Sequence, residues 1–132
     1  MVHVSPGFFM VVDKPSGLLS VPGRAEDNRD CVVSRLQEDM GFPTAKVVHR
    51  LDMETSGLMV LGLTAEAHAH LSKQFHDRHV DKEYVALVHG TGPPTDEGRV
   101  ELPMRYDPPR RPRHVVDHVH GKAALTLWRV EE

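Results

Sequence analysis

The stretch VVHRLDMETSGLMVL, residues 47–61, decides how the rest of the chain is read. It begins and ends apolar, and its last part, Gly57 to Leu63, is a continuous apolar run of strand length, expected to be a strand buried on both faces. Between the apolar ends stand one arginine and one carboxylate two positions apart. Side chains of an extended segment alternate in direction, so Arg50 and Asp52 project together while His49 and Leu51 point the other way. If Leu51 fills the core, the charged pair faces a cleft. Thr55-Ser56-Gly57 then supplies a tight turn, with Gly57 entering the next strand from a conformation that a side chain would obstruct. Spacing alone leaves a second reading open, a surface ion pair of little energetic consequence.

Outward from that stretch, Phe8 to Val12 is a β-prone run halted by the turn cluster Asp13-Lys14-Pro15-Ser16-Gly17, and Leu18 to Gly23 is a second extended piece. Asp30 is placed to cap a helix through Val33, Leu36 and Met40, with Gly41 and Pro43 as stop signals. Thr64 is the N-cap expected for a second helix, whose Ala67, Leu71 and Phe75 share one face and which ends near Arg78-His79. Lys82 to His89 reads as a strand, residues 91–113 as loop with at most a short extended Arg99 to Met104, and Ala123 to Val130 as the last strand. The expected class is α+β, a mixed and mainly antiparallel sheet with flanking helices.

The chain has 132 residues, 39% hydrophobic and 27% charged, which suits one domain or a piece of one. No apolar run approaches the roughly 20 residues a spanning helix needs, and the N-terminus lacks the basic and apolar regions of a signal peptide, so a cytoplasmic location is expected. The single cysteine, Cys31, excludes an intrachain disulfide and a cysteine-based zinc site. The net charge of -3 is uneven: residues 1–98 carry 9 Lys/Arg against 14 Asp/Glu, and residues 99–132 carry 7 against 5. A wholly basic nucleic-acid-binding surface is excluded, while a local strip of Arg99, Arg105, Arg110, Arg111 and Arg113 is available for phosphate contacts or for simple solubility. Ten histidines raise a metal hypothesis, but His68-x-His70, His76-x-x-His79 and His118-x-His120 do not have the spacing of a known site, and no metal is expected. A nuclease using His49 and Asp52 as acid and base is disfavoured because alternation separates the two.

His49-Arg50-Leu51-Asp52-Met53-Glu54-Thr55-Ser56-Gly57 resembles the signature His-Arg-Leu-Asp-x-x-Thr-Ser-Gly of the RluA-like pseudouridine synthases, which isomerise uridine to pseudouridine in RNA. Three further segments resemble the family's in its order: Lys14-Pro15 through Pro22, Lys82-Glu83-Tyr84-Val85-Ala86, and Gly121-Lys122-Ala123-Ala124-Leu125-Thr126. Ser20-Val21-Pro22-Gly23-Arg24 looks most like the branch that modifies both ribosomal and transfer RNA and lacks an N-terminal S4-type domain. With the first strand beginning by Phe8, no such domain is expected here.

The resemblance implies a reaction that breaks the bond from uracil N1 to the ribose, turns the base and rejoins it through C5, with no cofactor. It implies that Asp52 is the nucleophile, attacking either C6 of the base or C1′ of the sugar, in a sheltered pocket. The uridine must be flipped out of its stack. Arg50 is implied as the residue that fills the vacated space, and Tyr84 as the aromatic against the flipped base. Arg110, Arg111 and Arg113 would then contact phosphates, with Lys122 a further RNA contact. Family members usually continue to a Thr-Gly-Arg-x-His-Gln-Leu-Arg-x-His segment that supplies the nucleophile's basic partner, and no stretch of this chain resembles it. Residues 1–132 are therefore expected to be the N-terminal part of the catalytic domain, marginally stable, prone to associate and weak or dead as a catalyst, though monomeric when full length. The alternative is a non-catalytic RNA-binding module, or an inactive piece of such an enzyme. RNA is the partner in either case, and no membrane is involved.

Overall fold

The computed structural model describes residues 2–23, 29–92, 94–110 and 113–131, and the chain divides into two compact units, Met1–Glu83 and Tyr84–Glu132. In the first unit, strands β1 (His3–Ser5), β2 (Phe9–Lys14), β3 (Lys46–Val47) and β4 (Gly57–Gly62) form one antiparallel sheet in the order β1-β2-β4-β3. Register places Met10 opposite Leu61, Val12 opposite Met59 and Lys14 opposite Gly57. Because side chains alternate along a strand, Met10, Val12, Met59 and Leu61 share the inward face, where Leu18, Val32, Leu36, Ala45, Leu51 and Leu63 complete the core.

The other face of β4 is less covered than its apolar sequence suggested. Leu58 is 60% exposed, and only Met59, Leu61 and Gly62 of this strand are buried. Helix α2 (Ala65–His76) crosses the uncovered face at the end of β4. There a Cβ on Gly62 would lie 2.6 Å from the Cα of His68, so the absent side chain allows the helix to sit on the strand. As expected, Thr64 caps α2, its hydroxyl accepting from Ala67 N–H at 3.2 Å.

The helix expected after Asp30 is shorter and differently capped. Cys31 is the N-cap, its thiol accepting from Ser34 N–H at 3.3 Å, while Asp30 pairs with Arg35 at 2.7 Å. Helix α1 (Val32–Ser34) passes directly into a π-helical turn, Arg35–Asp39, closed by Met40 N–H donating to Arg35 C=O. The extra residue in that turn keeps Leu36 buried and rotates Met40 outward. The extended piece at Leu18 to Gly23 is present as a single parallel bridge, Leu19 to Cys31.

The second unit is an antiparallel sheet, β6-β5-β7, built from β5 (Glu97–Tyr106), β6 (His114–Val116) and β7 (Lys122–Arg129). The final strand falls where expected. The segment 91–113 is far less of a loop than its composition suggested, since β5 runs for ten residues and pairs with β7 from Glu97 to Met104. Pro103 sits within it opposite Ala123. After β5 comes a 3-10 turn at Pro108–Arg110, and Asp107 N–H donates to Arg113 C=O at 2.9 Å. Conversely, Lys82 to His89 forms no strand. Its backbone is irregular throughout and Leu87 is fully exposed, so strand propensity there goes unexpressed. The α+β class, with few helices and mainly antiparallel sheets, is nevertheless the one observed.

Candidate active site

The site is built on the segment that links β3 to β4. Alternation places its side chains as the sequence implies: Leu51 is buried in the core, His49 is half-buried, and Arg50 and Asp52 are exposed on the outward side. A turn follows at once, with Thr55 N–H donating to Asp52 C=O at 3.1 Å. It begins earlier than the expected Thr55-Ser56-Gly57. Gly57 then enters β4 at φ +126°, in the region that disfavours side chains, with Leu51 Cδ1 4.0 Å from where a Cβ would stand.

What fixes this segment is a clamp from residues 14–20. Lys14 continues the inward alternation of Met10 and Val12 and is fully buried, yet its Nζ reaches three carbonyls: Leu18 at 2.7 Å, Met53 at 2.9 Å and Pro15 at 3.0 Å. Gly17 N–H donates to the same Met53 carbonyl at 2.9 Å, and Ser16 Oγ donates to Glu54 C=O at 2.7 Å. Ser20, also buried, donates its hydroxyl to Leu51 C=O at 2.6 Å and accepts from Leu51 N–H at 3.1 Å. The backbone at Leu51, Met53 and Glu54 is thus held on both sides of Asp52. Burial pushes the Lys14 ammonium below its usual lysine value, an effect that the nearby Glu54 and Asp52 carboxylates oppose. An ammonium with three acceptors is the arrangement that makes a buried lysine tolerable.

On the other flank His49 is tied to the scaffold by its ring. Its Nε2 accepts from Val60 N–H at 3.0 Å, and the imidazole stacks on Phe75 of α2 with centroids 4.5 Å apart and planes at 11°. His68 of α2 meets the Val47 carbonyl through Nε2 at 3.0 Å.

The structure departs from the expectation of a sheltered nucleophile. Asp52 is exposed, because the clamp turns the backbone polar groups of 51–54 inward and leaves its side chain outward, where no described residue of this unit covers it. The first unit leaves Arg50 and Asp52 exposed on either side of buried Leu51 in the chain. Tyr84, 61% exposed and in irregular backbone, belongs to the second unit, as do Arg110, Arg113 and Lys122, while Arg111 lies outside the described residues. Arg110 Nε lies 2.9 Å from the buried Asp107 Oδ2, a charge contact out of line for a hydrogen bond, while Arg105 is taken up by Asp117 at 2.7 Å. Lys14 and Ser20 were present in the sequence only as parts of a motif. The signal that could have singled out Lys14 is its place in the period-two series Met10, Val12, Lys14, which aims a charge at the core.

The model of the RNA pseudouridylate synthase family matches residues 8–131. The chain belongs to this family. It is 51% identical over 121 residues to the dual-specificity RNA pseudouridine synthase RluA of Yersinia pestis, covering 92% of this chain and 57% of that protein. It is 50% identical over 123 residues to the RluA of Escherichia coli K12, covering 93% and 55%. The solved structure of human RNA pseudouridylate synthase domain containing 4 shares the fold, with a TM-score of 0.62 at 21% identity over 96% of this chain and 52% of that one. The chain therefore spans about half the length of the family members it matches. Among the described residues no helix is long and apolar enough to cross a membrane, and no group of three or more His, Cys, Asp or Glu side chains is placed to hold a metal ion.

Proposed function

We propose that this chain supplies the N-terminal part of the catalytic domain of an RNA pseudouridine synthase, with Asp52 as the nucleophile. The observation that carries the reading is the clamp: a fully buried lysine and two serines hold the backbone on both sides of one outward carboxylate. A group that must meet a reacting carbon in one orientation benefits from such fixation. Arg50, two residues before Asp52 and likewise exposed, fills the space left by a flipped uridine, and Tyr84 packs on the extruded base. Arg110, Arg111, Arg113 and Lys122 contribute phosphate contacts, which position RNA without reading its sequence. Ribosomal RNA, transfer RNA or both are the substrates, a reading supported by the dual specificity in the names of the relatives.

The exposure of Asp52 favours a second reading, in which this chain binds RNA and forms no product. Asp52→Asn separates the two. For a synthase, pseudouridine in ribosomal or transfer RNA fragments disappears while RNA affinity is retained. If the unsubstituted chain binds equally well and yields no pseudouridine to lose, the binding reading replaces the catalytic one.

A further inference from the structure

The two flanks of the Asp52 segment are secured by different chemistry. The clamp from residues 14–20 works through a lysine and hydroxyls, whereas the His49 flank depends on which ring nitrogen carries a proton. Val60 N–H is a donor, so the Nε2 atom 3.0 Å away must offer a lone pair. That fixes His49 as the neutral Nδ1–H tautomer. His68 is the converse: its Nε2 faces the Val47 carbonyl, an acceptor, so it donates there, neutral or charged. Of the two histidine ties, only that of His49 is lost on protonation.

We infer that His49 is a positioning residue for Asp52, its neutral imidazole bridging β4 and α2 so that the carboxylate three residues on keeps one orientation. The inference rests on the reading of Asp52 as nucleophile. The geometry that supports it is continuous. The hydrogen bond to Val60 ties the ring to the strand whose Val12-facing neighbour Met59 lies in the core, and the stack on Phe75 ties it to the helix that Gly62 admits. From that anchored ring the chain passes through Arg50 and buried Leu51 directly to Asp52. The surroundings keep the ring neutral. Burial lowers the His49 pKa and Lys82 lowers it further. β4 carries no titratable side chain, the α2 contact is Phe75, and Lys82 stands 5.8 Å from the Phe75 ring centre. Protonation, when it comes, turns Nε2 from acceptor to donor and sets two N–H groups against each other.

Two measurements on the whole chain test this. In the first, 15N-labelled protein is titrated with acid. The expected result is a His49 ring in the Nδ1–H form whose protonation moves the amide signals of Val60 and Asp52 together with its own. An Nε2–H ring, or an Asp52 amide indifferent to His49, overturns the inference. In the second, pseudouridine formation is followed against pH for wild type, His49→Gln and His49→Ala. Glutamine places an acceptor oxygen near the Nε2 position and cannot be protonated. His49→Gln should keep kcat near neutral pH and hold it to lower pH than wild type. His49→Ala should lose about tenfold to hundredfold in kcat with little change in KM. Equal acid limbs in wild type and His49→Gln overturn the proposal. Absence of product from wild type, with the amide coupling intact, favours the RNA-binding reading of this chain over catalysis by it and supports the placement of His49, so the two failures are distinguishable.

Discussion

Replacing Lys14 with methionine removes the charge from the clamp while nearly preserving its volume. The ammonium now satisfies three carbonyls. Stranding the buried Leu18 carbonyl costs about 1–3 kcal/mol, and the half-buried Pro15 and Met53 carbonyls, which water partly reaches, cost roughly half as much each. Against this, methionine removes a desolvated ammonium, which offsets part of that cost. With part of that sum offset, a net loss of about 2–4 kcal/mol is expected, and at roughly 4–8 °C per kcal/mol for a unit of this size the melting temperature falls by about 8–32 °C. Urea unfolding followed by circular dichroism gives the free energy, with Lys46→Met, on an exposed lysine, as the control. Amide exchange at Met53 to Thr55 should accelerate more than at Met10 or Leu61. A loss below about 1 kcal/mol, or equal to that of the control, would show that the three short contacts contribute nothing net and that the segment is held by packing alone.

Three other expectations follow from the same geometry. Gly62→Ala drives a Cβ to within 2.6–2.7 Å of the His68 backbone, which α2 relieves only by moving, so a destabilisation of about 1–3 kcal/mol is expected in the same unfolding assay. Asp117 accepts N–H groups from His120 and Val119 and pairs with Arg105, which hold its carboxyl well below the usual 3.8. The stability it lends the second unit is full above 3.8 and drains as pH falls below that value toward its folded-state pKa, so the advantage of wild type over Asp117→Ala should shrink through that range in acid unfolding. If Arg113 contacts RNA phosphate, Arg113→Ala weakens binding to all sequences alike and reduces the slope of log affinity against log salt by about 1, measured by fluorescence anisotropy.

Much of the first unit was legible because its periods are strong. The alternation in β2, the spacing of Ala67, Leu71 and Phe75 behind Thr64, and the apolar run of β4 each locate an element within a residue or two. What was not legible depends on partners that are distant in sequence. Tyr84 to Val88 has the composition of a strand, but a strand exists only where another backbone offers hydrogen bonds, and its own sequence does not say where that backbone is. The reverse error occurred at β5, where Arg99, Glu101 and Pro103 disguise a strand that owes its length to eight registered partners on β7. The site divides in the same way. Arg50 and Asp52 stand out by type and spacing, and alternation about Leu51 agrees with a buried Leu51 between two exposed neighbours. Their exposure was misjudged, because shelter is a property of whatever covers a side chain rather than of the side chain's own neighbours in the chain. Lys14 carried a readable signal in its period-two position, but a lysine is so seldom buried that its place in a turn cluster outweighed it.

The burial of Lys14 also makes it a built-in reporter. The chain has five lysines, and four of them, Lys46, Lys73, Lys82 and Lys122, are exposed. An amine-directed reagent such as acetic anhydride, applied briefly to the folded chain, will mark those four and spare the fifth. Mass spectrometry then counts molecules whose loop has come away from β2, one acetyl group at a time, without any label having been introduced by design.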